Sequence, residues 1–494
     1  MVFSSLVFMY VFLAVALVTY FWSKDIKIRN TILCALSVFF YAWGEPFWVI
    51  LLIVGCAIDY VLGLNIEKQL HKGNKQTAKL LMILSVVENI AVIGLFKYSG
   101  FLVENINGIF GASLAVPAFT LPIGISFFTF QKLSYTIDVY RGEVKAQRSF
   151  VNFLLYISMF FQLIAGPIVR YSWIESEMAK RSVNVHEFSK GIKRFCFGLG
   201  KKVLLANVAG EFVNKIMAVE NPSAVLTTSE AWIGVFMYAL QIYYDFSGYS
   251  DMAIGLGRMF GFHFPENFKY PYAATTITEF WRRWHISLSS FFRDYVYIPL
   301  GGNRRHMLFN IFVVWALTGL WHGASWNYVL WGLFYGVLLV LEKYFVLKPL
   351  ANAKKNIKRM FNKTTAMIIN ACIFIVQKAI FIYITLMGWT LFYFESTPKL
   401  LEYLGVMYGG GVEKSTVNGG LLVQNNLWWF IVAIVMTQPV LKITKYIALR
   451  AQRKYGVLIY TNDIVSSALS ILLLVISTIM LIGNSFNPFL YFRY

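Results

Sequence analysis

Acidic residues are scarce in this chain. Its 494 residues hold 24 Asp and Glu against 44 Lys and Arg, and charged residues of both signs make up only 14%. A soluble globular chain carries about 25% charged residues, so the shortfall excludes an ordinary water-soluble enzyme. Cysteine is also sparse: Cys34, Cys56, Cys196 and Cys372 lie far apart with no C-x-x-C pair. That spacing excludes a disulfide framework, and the four are expected to be small buried hydrophobes. There is no H-E-x-x-H, no His/Cys grouping with zinc spacing and no G-x-S-x-G elbow. Gly255-Leu-Gly257 with Gly261 lacks the spacing and the strand–helix setting of a dinucleotide fingerprint. No resident metal or cofactor is expected. An internal repeat is absent too, which weighs against a transporter built from inverted halves.

What the chain does have is apolar length. Hydrophobic residues reach 58% and aromatic residues 18%, with a mean hydropathy of +0.60. Apolar runs recur from 2–21 to 463–483, many near the twenty residues that a bilayer core demands. They predict an all-α polytopic membrane protein, a bundle of roughly ten to twelve spanning or re-entrant helices. The chain reads as one integral membrane domain, 1–494, with N-terminal helices over 2–256, a core over 257–346 and C-terminal helices over 347–494. The net charge of +20 does not mark a nucleic-acid binder. The cations fall in short polar connections: Lys24 to Arg29, His71 to Lys79, Lys180 to Lys202, Lys343 to Lys363 and Lys442 to Lys454. This is the positive-inside pattern, so these connections face the cytoplasm and offer a basic surface to an anionic donor or lipid. Met1-Val-Phe-Ser-Ser has no basic n-region, so Val2 to Phe21 is expected to be a retained helix with its N-terminus outside.

Some stretches resist simple spanning. Pro122-Ile-Gly124 and Gly166-Pro167 interrupt apolar sequence within 118–139 and 150–169, and broken backbone at membrane depth is tolerated only inside protein or beside a watery cavity. The stretch 257–306 mixes apolar residues with many arginines and is expected to form a loop plus an amphipathic or re-entrant helix. The segment 396–425, with Gly409-Gly-Gly411 and few cations, suits an extracytoplasmic loop.

Two histidines stand out. His322 lies in Ala316-Leu-Thr-Gly-Leu-Trp-His-Gly-Ala-Ser-Trp326, and His285 in Phe280-Trp-Arg-Arg-Trp-His-Ile-Ser-Leu-Ser-Ser-Phe-Phe-Arg293. An ionisable residue inside a membrane is costly and marks a functional candidate, while an imidazole moves protons near pH 7. A helix through 278–293 would gather Thr278, Trp281, Arg282, Leu288, Ser289 and Phe292 around His285. The competing reading is an interfacial helix anchored by Arg and Trp. At His322, Gly319 and Gly323 allow close approach of a backbone or a substrate, and Thr318 and Ser325 stand where they can orient the ring. The competing reading is a histidine satisfied by a hydroxyl. In Tyr243-Tyr-Asp-Phe-Ser-Gly-Tyr-Ser-Asp251, Asp245 and Asp251 can each hold an imidazole tautomer or pair with arginine, and pairing is the expected use.

The runs from Phe280 to Gly302 and Thr318-Gly-Leu-Trp-His-Gly-Ala-Ser-Trp326 resemble the two signatures of membrane-bound O-acyltransferases. Tyr244-Asp-Phe-Ser-Gly-Tyr-Ser-Asp251, Pro122-Ile-Gly-Ile-Ser-Phe-Phe-Thr-Phe-Gln131 and Asn487-Pro-Phe-Leu-Tyr-Phe-Arg493 resemble its bacterial branch, which O-acetylates exported or cell-envelope polysaccharide. The resemblance implies a helical bundle around a central funnel in the cell membrane of a bacterium. It implies His322 as catalytic histidine and His285 as the second motif histidine. It further implies acetyl-CoA as thioester donor, a polysaccharide acceptor outside, and an extracytoplasmic partner of the SGNH type. Arg282, Arg283, Trp281, Trp321, Ser289 and Asp245 are the candidate substrate-binding residues. D-alanyl transfer from a carrier protein to teichoic acid is the related alternative, and a proton-coupled transporter or flippase the rival from another class.

Overall fold

Long apolar stretches with little charge can satisfy their backbone in lipid only as helices, and helices are what forms. The computed structural model describes residues 1–440 apart from 165 and 416, then 444, 446, 450, 459–484 and 486–490. Residues 491–493 of the C-terminal motif and most of the basic stretch 442–454 lie outside the described residues. No strand occurs among the described residues. Among the described residues, five helices are long and apolar enough to cross a membrane: Trp48–His71, Lys75–Phe110, Trp326–Met360, Lys363–Tyr393 and Asp463–Gly483. Gly419–Asn425 and Leu427–Met436 form an apolar pair bent by 76°, a broken span or a re-entrant loop. Phe8–Trp22 and Met307–His322 are apolar but shorter. This is a multi-pass membrane protein.

The chain clusters into two units that interleave along the sequence. The first takes Met1–Val203, Phe246–Glu266 and Ser467–Tyr494. Its N-terminal core is aromatic, with Phe8, Phe12, Phe40 and Phe160 packed ring against ring at centroid distances of 5.1–6.1 Å. Charges buried in it are paired, as desolvation demands. Lys132 lies 3.3 Å from Asp59, and Asp59 also accepts from Asn89 Nδ2 (2.8 Å) and Ser85 Oγ. Asp251 takes the arginine-pairing use expected of it, held by Arg194 and Lys201. The predicted breaks are present: Gly124 has φ +78°, and a Cβ there would stand 2.7 Å from the Leu163 carbonyl oxygen. Cys34, Cys56 and Cys196 are buried as expected, but Cys372 is exposed. It lies on Lys363–Tyr393, where Phe374, Ile375 and Val376 are exposed too, so there the thiol faces outward as one more apolar group.

The second unit takes Leu204–Asp245 and Asn267–Ser466 and carries both motif histidines. Its frame is the antiparallel pair Met307–His322 and Trp326–Leu341, joined by the turn 323–325. Glycine lets the two backbones approach: a Cβ on Gly319 would lie 2.2 Å from the Tyr328 carbonyl oxygen, and one on Gly332 would lie 2.2 Å from that of Trp315. The close approach anticipated at Gly319 and Gly323 is thus made by protein, with the Tyr328 ring against Gly323. The 16-residue helix ending at His322 rises about 24 Å, less than the ~30 Å hydrocarbon core. It starts after the Arg304–Arg305 turn and ends at His322. The segment 396–425 is not plain loop but holds the helices Thr397–Gly405 and Gly419–Asn425.

Candidate active site

The expected continuous helix through 278–293 is corrected by the structure. It breaks at His285, whose φ of 43° and ψ of 55° are left-handed, leaving Ile277–Trp281 and Ile286–Phe292 on either side. A non-glycine residue held there costs on the order of 1–3 kcal/mol and persists only when its surroundings over-determine it. Two residues do so. Glu342, buried in the π-turn that ends Trp326–Leu341, accepts from the Ile277 and Thr278 backbone N–H groups, one to each carboxylate oxygen and both at 2.7 Å. Asn267 holds the second helix: its backbone carbonyl accepts from Ile286 N at 3.0 Å, and its side-chain oxygen accepts from Ser287 N (3.0 Å) and Ser287 Oγ (2.9 Å). The N-terminus of each short helix is thereby satisfied, which a helix end buried in protein requires.

The break does not scatter the predicted neighbours of His285. Thr278, Trp281, Arg282, Leu288, Ser289 and Phe292 all line one cavity of about 510 Å³, together with His285 itself. Val314, Trp315, Thr318 and His322 close it from the Met307–His322 side. Both histidines therefore face the same space, one from each sequence signature. Arg282 and Ser289 are exposed at its rim, while Trp281 is buried in its wall.

The two imidazoles sit differently. His322 is half-buried and gripped edge-on by Trp331 and Phe392, at ring distances of 5.1 and 5.0 Å and near-perpendicular angles. That cage fixes the ring plane. His285 is 3% exposed, and its Nδ1 is buried without a hydrogen-bond partner among the described residues. Trp321 stands between them, perpendicular to His285 at 5.6 Å and to His322 at 4.8 Å. Burial pushes the His285 imidazole, which lies outside the spanning helices, from the ordinary 6.5 down to about 4. Burial thus favours its neutral form at pH 7.

A folded-state value below the unfolded one means the unfolded chain binds the extra proton between the two. His285 thus contributes stability in full above about pH 6.5, losing it as pH falls toward 4. The unfolding midpoint in detergent should drop between about pH 6.5 and pH 4, and His285→Gln should flatten that drop. An equal drop in the variant would remove His285 as its source.

The remaining sequence candidates divide. Arg283 does not line the cavity. It bonds Glu279 at 2.5 Å, and its carbonyl accepts from Lys269 N. Trp321 touches both imidazoles but is not a wall residue. Asp245 is buried on the helix Thr228–Met259 and is likewise not in the lining. Thr318 lines the cavity, though its hydroxyl donates back to Val314 O at 2.7 Å. Glu342, Asn267, Trp331 and Phe392 were missed by sequence reasoning. For Glu342 a signal existed, since it is the one acid within the apolar stretch 325–346. For the others the residue type carries no such mark.

With the geometry in place, comparison with known proteins is specific. Residues 42–385 match the membrane-bound O-acyltransferase (MBOAT) family. The Pseudomonas putida protein named Probable alginate O-acetylase AlgI is 36% identical over 100% of both chains. The Helicobacter pylori Peptidoglycan O-acetyltransferase is 33% identical over 70% of this chain and 71% of its own. Teichoic acid D-alanyltransferase of Bacillus subtilis is 28% identical over 45% of this chain and 59% of its own. The family model covers more than half of the chain and relatives above 30% identity cover two thirds of it or more, so the chain belongs to the membrane-bound O-acyltransferase family.

Proposed function

We propose that this enzyme moves an acetyl group from acetyl-CoA, taken on the cytoplasmic side, to a hydroxyl of an extracytoplasmic polysaccharide, with His322 as general base. The observation that carries this reading is the cavity of about 510 Å³ with both imidazoles on its wall and an arginine at its rim. The relatives named for alginate and peptidoglycan O-acetylation supply the acceptor class.

The step balances without a cofactor. An acceptor hydroxyl gives its proton to His322 as its oxygen attacks the thioester carbonyl. The new C–O bond forms, the C–S bond breaks, and the leaving thiolate takes the proton from the imidazolium. Positioned proton transfer of this kind contributes on the order of 10² to 10⁴ in rate. The aromatic cage of His322 adds orientation. His285, neutral and facing the same space, is suited to donate a hydrogen bond to the tetrahedral oxyanion. Arg282 and Ser289 are proposed to contact the donor, with Trp281 as apolar wall. Arg283, Trp321 and Asp245 act through the frame. The acceptor is presented by an extracytoplasmic partner of the SGNH type.

Purified enzyme in detergent should release CoA from acetyl-CoA when a polysaccharide fragment or another hydroxyl acceptor is supplied. Release only from a carrier-bound D-alanyl thioester would overturn the donor and favour teichoic acid as acceptor. The acetyl reading is preferred because the likeness to O-acetylases covers the whole chain, whereas that to D-alanyltransferases covers 45% at lower identity.

A further inference from the structure

We propose that Lys378 is a positioning residue for acyl transfer, holding the turn that leads to His285 against the helix that cages His322. The inference rests on the cavity being the transfer site. Lys378 is the one charged residue in 364–394, the apolar body of the span Lys363–Tyr393. An ionisable residue there is costly and marks a functional candidate. Its ammonium forms no ion pair among the described residues; Glu279 and Arg283, the charged groups near it, bond one another. What it meets is backbone. Nζ donates to the Tyr272 and Ala274 carbonyl oxygens, the latter at 2.9 Å.

Those two carbonyls belong to a turn that needs an outside hold. The short turn Pro271–Ala273 follows Tyr270, whose φ of 51° is left-handed. A non-glycine residue keeps that conformation only when its surroundings impose it. Carbonyls leaving so short a turn have no helical donor ahead of them, and the Lys378 ammonium serves both with two of its three protons. Trp389, on the same helix, fixes the side chain of the turn. Its Nε1 donates to Tyr272 Oη at 3.0 Å, and that hydroxyl donates to Ala239 O at 2.6 Å.

This helix reaches both histidine walls. Lys378, Phe381, Thr385, Trp389 and Phe392 fall at i, i+3, i+7, i+11 and i+14, one face. Along it Phe381 packs on Phe280 at 5.7 Å, Trp389 on Trp284 at 5.0 Å and Phe392 on the His322 ring at 5.0 Å. Tyr272 stacks on Phe280 at 5.9 Å, and Trp284 lines the cavity beside His285. Lys378 is the charged end of this face. It ties the backbone approaching one histidine to the helix that grips the other.

The test compares wild type with Lys378→Met and Lys378→Arg as full chains in detergent. Methionine removes the donors and suits an apolar span better than lysine, so this variant should fold with an unfolding midpoint near that of wild type. The Ala273 and Ala274 amides close the turn onto Tyr270 and Pro271. Their hydrogen exchange, read by mass spectrometry, should be faster by about tenfold or more in Lys378→Met, with Met307–His322 unchanged. Its kcat for acetyl transfer should fall by about tenfold to a hundredfold, with KM within about twofold. Lys378→Arg keeps donors of sufficient reach and should stay near wild type in both readouts. Wild-type exchange or wild-type kcat in Lys378→Met would overturn the inference. So would faster exchange spread through Met307–His322, or an arginine variant no better than methionine. If wild type itself transfers no acetyl group, the acetyl reading fails, and the exchange comparison decides the positioning role alone.

Discussion

His322→Ala should lower acetyl transfer by about 10² to 10⁴ while leaving yield and unfolding midpoint near those of wild type. The expectation follows from how the ring is held. Its cage of Trp331 and Phe392 is aromatic, so removing the imidazole strands no charge on those two rings. The loss should fall on kcat, because a general base acts in the transition state and not in binding. Normal turnover by a folded His322→Ala protein would end the assignment. A rise in KM with kcat unchanged would make His322 a binding residue.

Gly319→Ala and Gly332→Ala should disable the enzyme by a different route, through the frame. At each, the added methyl meets a backbone carbonyl oxygen 2.2 Å away, and a carbonyl belonging to a helix cannot swing aside. Overpacking of this sort costs about 1–3 kcal/mol or more, and relief requires the two helices to separate. Separation moves Trp315, Thr318 and His322 away from the opposite wall of the cavity. Lower unfolding midpoints and lost activity should therefore appear together. Gly336→Ala is the internal control. Its nearest neighbours are the Phe312 ring and the Trp315 Cβ, both at 3.4 Å, so it should be tolerated. Equal behaviour of all three variants would show that the glycines do not set the helix spacing.

Much of this architecture was legible in the residues. Apolar length marked the spans, and Pro122 to Gly124 marked a break that the Gly124 backbone realises. Spacing placed Thr278, Trp281, Arg282, Leu288, Ser289 and Phe292 with His285, and the cavity unites all of them. The reason offered was a continuous helix, and that was wrong. Left-handed backbone is ordinarily announced by glycine or asparagine, and at position 285 a histidine adopts it because Asn267 and Glu342 hold the helices on either side. Those contacts join residues 19 to 65 positions apart in sequence, and nothing local encodes them. The arginine pair likewise looks uniform in sequence. Only the fold assigns Arg282 to the cavity rim and Arg283 to Glu279.

The bonds from Glu342 run to backbone N–H groups at 277 and 278, and those from Asn267 reach the backbone at 286 and 287. Main-chain groups are common to nearly every residue type, so the brackets that hold this wall do not depend on most of the side chains mounted on it. Thr278, Arg282, Leu288 and Ser289 are exchangeable fittings on a fixed chassis. Selectivity for donor or acceptor is open to redesign there, position by position, without retooling the scaffold that aims the histidines.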